Sequence, residues 1–140
     1  MGAVVQQAGL RVKTELDDLN RVLDWFAQFD QDPLPHAVWL QCQLALAEAF
    51  TNAVRHAHRN RDPETPIDIQ VTADPHRLEI QVWDCGDPFE LMDSITLARE
   101  APPTEQEGGR GLLLMQRIAS ELSYHRDPDG RNCLRLVKTF

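Results

Sequence analysis

The residues best suited to chemistry in this sequence lie in one helical stretch, residues 46–56. Glu48, Asn52 and His56 are four residues apart in it, so an α-helix places all three on one face. A carboxylate one turn from an amide can position a water molecule and a hard cation. The alanines on either side of Glu48 leave room beside it. The stretch predicts a general base at Glu48 and an oxygen ligand for Mg²⁺ at Asn52.

Each of these residues also has a purely structural interpretation. Glutamate is common on helices, so Glu48 alone could be a solvated side chain. Asn52 could lie on the surface or bond to a second helix, although asparagine disfavours helix interiors. His56 could orient a neighbour, but an isolated histidine favours a structural role. The functional interpretation therefore depends on what accompanies this helix.

Two glycine-bearing segments accompany it. Asp84-Cys-Gly86 follows a predicted strand, where the carboxylate could accept a hydrogen bond from adenine and Gly86 lets backbone approach the base. Residues 108–111 open a predicted helix whose free N–H groups could hold phosphate, with Arg110 adding positive charge. An ordinary turn and a flexible hinge are the alternatives, and the glycine spacing fits neither the Walker A nor the Rossmann pattern. Together, and in this order, the three segments favour one nucleotide site.

The elements that must position these residues follow from periodicity and turn residues. The predicted order is β-α-α-β-β-loop-α-β-β, with Thr14 capping the first helix and residues 85–108 as a long loop that contains one possible short helix, 91–98. Leu44, Ala47 and Val54 are expected to face the core. Strands are predicted at 8–13, 67–71 and 78–84, and helices at 15–29 and 37–60. A third helix is marked by Leu112, Met115, Ala119 and Leu122. The last two strands, 122–126 and 132–138, are joined by the turn Asp127-Pro-Asp-Gly130. This order predicts an α+β fold, a two-layer α/β sandwich whose mixed, mostly antiparallel sheet carries helices on one face.

Composition limits the class of protein. The 140 residues suit one domain, 1–140, with a real core. A net charge of −8 argues against a general nucleic-acid binder. Three cysteines, Cys42, Cys85 and Cys133, fit no zinc pattern and are interpreted as reduced thiols. We find neither an apolar run long enough to span a bilayer nor a signal peptide, so we expect a cytoplasmic protein that binds no membrane.

The three segments resemble those of the GHKL (Bergerat-fold) ATP-binding superfamily, and within it the stand-alone anti-sigma-factor serine kinases of bacteria. Residues 46–56 resemble its N-box, Asp84-Cys-Gly-Asp-Pro88 its Asp-x-Gly-x-Pro box, and Gly109-Arg-Gly-Leu112 its glycine lid box. The resemblance extends from about residue 10 to 138. Superfamily members often carry a threonine on the late strand, where this chain reads Arg131-Asn-Cys-Leu134. The glycines here follow Gln106-Glu107, which puts an acidic side chain where a basic one could face phosphate.

The resemblance implies a role for each matching position. It makes Glu48 the catalytic residue, Asn52 the Mg²⁺ ligand, and Asp84 with Gly86 the adenine site. It makes residues 87–110 an ATP lid and assigns phosphate binding to the lid box, which comprises Gly109, Arg110, Gly111 and Leu112. The implied cofactors are ATP and Mg²⁺.

It also implies a serine kinase that regulates transcription. Such proteins phosphorylate a STAS-domain anti-sigma-factor antagonist, sequester a sigma factor and form homodimers. Two alternatives stay open: a non-catalytic, nucleotide-binding adaptor, and an ATPase or histidine-kinase module. The second lacks support, since no phosphoacceptor-histidine helix pair precedes the N-box.

Overall fold

The computed structural model describes residues 5–57, 61–86 and 110–140. Five strands and three α-helices form in the predicted order. Short 3₁₀ turns precede and follow the first helix, at Leu16–Asp18 and Ala27–Phe29. The elements are β1 (Gln6–Lys13), α1 (Leu19–Phe26), α2 (His36–Asn52), β2 (Pro66–Ala73), β3 (Arg77–Asp84), α3 (Arg110–Ile118), β4 (Glu121–Arg126) and β5 (Asn132–Thr139).

The strands form one sheet in the order β1-β2-β3-β5-β4, and its four pairings are all antiparallel. The predicted edge strand and both predicted hairpins are therefore confirmed. The β4–β5 hairpin turns at residues 127–130, where Gly130 has a φ of +88°, a conformation that glycine adopts without strain. The pairing of β3 with β5 brings Asp84 directly opposite Asn132, which matters for the site.

The two faces of the sheet differ in polarity. Alternate residues of β2 and β3 point to one side and are buried in the core: Ile67, Ile69, Val71, Leu78, Ile80 and Val82. Helix side chains complete this core, so the expected two-layer α+β arrangement is confirmed. The opposite side carries charged pairs. Arg11 contacts Asp68 at 2.7 Å, and Arg135 contacts Glu79 at 3.0 Å.

The first helical segment is confirmed, but its predicted cap is wrong. Glu15 precedes the first turn, and the Thr14 hydroxyl donates to the Thr65 carbonyl at 2.6 Å. Thr14 thereby ties the end of β1 to the segment that leads into β2. The Asp18 carboxylate accepts a hydrogen bond from the Lys13 N–H at 2.9 Å.

The second helix differs from prediction in its end and in one face. The regular α-helix ends at Asn52, and one π-helical turn, Ala53–Ala57, follows it directly. Residues 58–60, the predicted end of this helix, lie outside the described residues. Leu44 was expected in the core, yet 47% of it is exposed. The reason is that Trp39, Cys42 and Leu46 already turn the apolar side of α2 inward.

The third helix is shorter than predicted. It ends at Ile118, and Leu122 belongs to β4. The short helix predicted at 91–98 and the lid lie outside the described residues. Of the helices in the described ranges, none combines the length and the apolar character needed to cross a membrane.

Candidate nucleotide-binding site

The end of β3 carries the most connected polar group of the site. The Asp84 carboxylate is only 4% exposed, and its Oδ1 accepts hydrogen bonds from the Gly86 N–H at 2.9 Å and from Asn132 Nδ2 at 3.0 Å. Asn132 Nδ2 also donates to the Gly86 carbonyl at 2.7 Å. Predicted residues Asp84 and Gly86 thus form one hydrogen-bonded corner with Asn132.

Tyr124 of β4 completes the surroundings of this carboxylate. Its hydroxyl lies 3.5 Å from Asp84 Oδ2. Burial, and secondly the negative charge of Asp84, raise the pKa of Tyr124, so the phenol stays protonated and can donate. Within the described ranges, the second oxygen of Asp84 therefore has one distant donor and can accept a further hydrogen bond.

A small cavity connects this corner to α2. Its lining residues come from α2, the π-helical turn and three strands: Ala49, Asn52, Ala53, Val82, Asp84, Tyr124 and Leu134. Its volume of about 10 Å³ suits one water molecule rather than a purine. A base would have to lie at its mouth or widen it. The apolar walls beside one carboxylate are the surroundings that a planar heterocycle with one polar edge requires.

Glu48 lies one turn before Asn52 on α2 and contacts the start of α3. A methyl group built on Gly111 would lie 2.5 Å from Glu48 Oε2, so a larger residue at this position would force the Glu48 carboxylate to move. The alanines beside Glu48 do leave room, and the first turn of α3 fills it. The structure therefore brings the predicted base against the predicted glycine segment.

The other predicted residues of the lid box are placed as follows. Leu112 is buried in the core, so a contact with nucleotide would come from its backbone. Arg110 is the first residue of α3. Gly109 and the Gln106-Glu107 pair lie outside the described residues, as do the side chains of Arg110 and His56. Their roles stay predictions.

Two residues of the corner, Tyr124 and Asn132, were not predicted as site residues. In the sequence, residues 131–134 differ from the superfamily pattern by the absence of a threonine, and this difference does not indicate a role for Asn132. The missing signal was the pairing register, which places the first residue of β5 opposite the last residue of β3. Predicting the pairing register of β5 with β3 and β4 would have identified Asn132.

In the part of the chain that the structure describes, none of the three cysteines forms a disulfide. Burial raises the pKa of both the Cys42 and the Cys133 thiol to about 12, so both are protonated at neutral pH. They behave as small core side chains rather than as nucleophiles.

The donor set suits Mg²⁺ better than a metal held by protein alone. Among the described residues, no group of three His, Cys, Asp or Glu side chains could hold a metal ion. Mg²⁺ commonly takes one or two protein oxygens together with substrate phosphates and water. The half-buried Asn52, at the cavity wall one turn from Glu48, fits that requirement.

Comparisons with known proteins agree with this geometry. A family model described as a histidine kinase-like ATPase domain matches residues 12–138. The serine-protein kinase RsbW of Bacillus licheniformis is 32% identical over 90 residues, covering 61% of this chain and 56% of that protein. RsbW of Staphylococcus aureus is 28% identical over 91 residues, with 61% and 57% covered. The chain spans about half the length of the curated relatives it matches.

Two solved structures share the fold. One contains the RsbU and RsbW domains of Rv1364c from Mycobacterium tuberculosis, with a TM-score of 0.66 and 13% identity, covering 95% of this chain and 32% of that one. The other is the SiaB–SiaC complex from Pseudomonas aeruginosa, with a TM-score of 0.66 and 14% identity, covering 95% and 89%. At these identities they support the fold alone. The family model that matches residues 12–138 shows that the chain belongs to the histidine kinase-like ATPase domain family.

Proposed function

We propose that this protein is an ATP-dependent serine protein kinase of partner-switching regulation. One observation carries the proposal: Glu48 and Asn52 lie one turn apart on α2, and Asn52 lines the same cavity as the buried Asp84. The proposed base at Glu48 thus lies one helical turn from the proposed metal ligand at Asn52, which shares a cavity with the proposed nucleobase acceptor at Asp84. Phosphoryl transfer needs mainly such positioning and electrostatic stabilisation.

The proposed mechanism assigns one task to each group. Asp84 Oδ2 accepts a hydrogen bond from the adenine amine, and Asn52 contributes its side-chain oxygen to Mg²⁺ at the phosphates. When bound, Mg²⁺ supplies positive charge to the transferring phosphoryl group. Glu48 removes the proton of the partner's serine hydroxyl, the serine oxygen bonds to the γ-phosphorus, and ADP leaves. The backbone N–H groups at the start of α3 offer partial positive charge beside Glu48.

The partners are part of the same proposal. The relatives are named serine-protein kinases, and one structural neighbour was solved as a SiaB–SiaC complex. We propose a STAS-domain antagonist as the phosphoacceptor, a sigma factor as the sequestered protein, and a homodimer as the working form. The net charge of −8 favours partners that present basic surfaces.

The test is phosphoryl transfer by a Glu48→Gln variant. With labelled ATP, Mg²⁺ and a candidate STAS protein, wild type should label the partner. Glu48→Gln should lower the rate at least ~10²-fold, the usual contribution of a general base, while ATP still binds. Glu15→Gln is the matched control, because Glu15 is exposed, precedes the first helical turn and does not line the cavity. Transfer by Glu48→Gln at the wild-type rate would refute the catalytic assignment.

A second candidate is the nucleotide-binding, non-catalytic adaptor, which is favoured by the acidic Glu107 just before the lid glycines, where a basic residue would suit phosphate better. An adaptor would capture its partner equally well with and without ATP and would transfer no phosphate. A pull-down from lysate in both conditions, followed by the transfer assay on the captured protein, separates the two functions.

A further inference from the structure

We propose that Asn132 is a positioning residue that sets the base selectivity of this site. It orients the Asp84 carboxylate so that a 6-aminopurine is accepted and a 6-oxopurine is refused. The inference rests on the proposed nucleotide site and adds to it a residue outside the three motifs.

The orientation of the Asn132 amide is determined by its neighbours. Its terminal nitrogen lies 3.0 Å from Asp84 Oδ1 and 2.7 Å from the Gly86 carbonyl oxygen. Both of these atoms are acceptors, so only the NH₂ group can face them. The flipped amide would set its oxygen against a carboxylate and a carbonyl. The Asn132 NH₂ group therefore donates both hydrogen bonds, one to Asp84 and one to Gly86.

This donor decides which oxygen of Asp84 remains available. Oδ1 already accepts from the Gly86 N–H and from Asn132. Among the residues that the structure describes, the donor given for Oδ2 is the Tyr124 hydroxyl at 3.5 Å. The next hydrogen bond to this carboxylate must therefore be made at Oδ2, and it must come from a donor. An exocyclic amine at purine position 6 is a donor, whereas a 6-oxo group brings an acceptor against an acceptor.

The other end of the amide argues for function rather than packing. Asn132 is fully buried, and its Oδ1 finds no donor among the residues that the structure describes. An unpaired buried acceptor destabilises the fold, so such an atom in a native protein calls for an explanation such as a catalytic or binding role, strain, or a bound water or ion. The next inward-facing residue of β5 is Leu134, which shows that this strand face accommodates leucine. A leucine at 132 would avoid the unpaired acceptor but would lose both hydrogen bonds to the corner.

The experiment measures ATP and ITP binding by isothermal titration calorimetry with Mg²⁺, for wild type, Asn132→Leu and Asn132→Thr. Wild type should prefer ATP. Asn132→Leu should bind ATP at least ~10-fold more weakly, the scale of a lost hydrogen bond to a charged group, while ITP binding changes little. Asn132→Thr keeps one donor and should retain part of the preference. Gln81→Leu makes the same amide-to-leucine change on β3, outside the cavity lining, and should bind like wild type.

Each outcome decides the inference. A merely structural role predicts a lower thermal midpoint for Asn132→Leu with the ATP-to-ITP ratio intact, and that result would overturn the proposal while the nucleotide site stands. Failure of wild type to bind ATP would overturn the proposed function, and the inference with it. Should Asn132→Leu not fold, an unchanged ratio in Asn132→Thr would equally overturn it.

Discussion

The contact between Glu48 and Gly111 gives the glycine segment a steric role, in addition to the phosphate binding that the resemblance implies for it. A Cβ at position 111 would lie 2.5 Å from Glu48 Oε2 and 3.3 Å from Glu48 Cβ. The glycine therefore makes room for the carboxylate at the first turn of α3. Its requirement here is steric, because a side chain would occupy the space that Glu48 needs.

Gly111→Ala should consequently impair transfer more than folding. The added methyl group must displace the Glu48 carboxylate, so we expect at least ~10²-fold slower phosphorylation, as for loss of the base itself. The thermal midpoint should fall by only a few degrees, as expected for a cost of ~1 kcal/mol. Gly9→Ala is the control, since its methyl group would meet the Ile69 carbonyl at an ordinary 3.6 Å. Equal transfer rates for the two variants would refute the steric role.

Among the elements, helix α2 has three faces with different surroundings: the core, the candidate site and solvent. One face enters the core through Trp39, Cys42 and Leu46, and another carries Glu48 and Asn52 toward α3 and the cavity. The third leaves leucines 40 and 44 about half exposed. The helix then widens into a π-helical turn directly after Asn52, an irregularity often found at functional sites.

The exposure of Leu44 predicts a sharp contrast with its neighbour Leu46. Leu46 is fully buried, so Leu46→Ala should lower the free energy of unfolding by ~2–5 kcal/mol, the cost of a cavity in a core. Leu44→Ala should change it by no more than ~0.5 kcal/mol, as is usual for surface substitutions. Urea denaturation of both variants measures the difference. Similar losses in the two would mean that Leu44 packs as the sequence pattern had suggested.

At the scale of the whole molecule, buried ionisable groups link stability to alkaline pH. The pKa of the Cys42 thiol and of the Cys133 thiol rises from 9.0 to about 12, chiefly through burial. Between these values the folded chain keeps protons that the unfolded chain has lost. The free energy of unfolding must therefore fall as pH rises from about 9 toward 12. Below pH 9 the stability that depends on the protonated thiols is fully present.

This linkage predicts progressive alkaline destabilisation. Denaturant unfolding at several pH values above neutrality should show a midpoint that is constant at first and then declines above about pH 9. Cys42→Ala should lower stability at neutral pH but give a shallower decline, because one of the two thiols is gone. A midpoint independent of pH up to about 11 would contradict the burial of these thiols.

The sequence by itself determined the parts of this protein whose signal is local. Alternation in β2 and β3, the turn before Gly130 and the four-residue spacing of Glu48 and Asn52 depend on neighbours along the chain, and the structure contains all of them. The resemblance of the three segments likewise predicted the family that the match over residues 12–138 shows.

Only the tertiary structure decided which distant residues meet. Asn132 bonds Asp84 across 48 positions because β3 and β5 pair in one register, and one residue of slip would turn Asn132 to the other face. Gly111 meets Glu48 because α3 packs on α2, and Leu44 faces outward because other side chains fill the core. Register and packing are set by pairing between segments, which no local pattern contains.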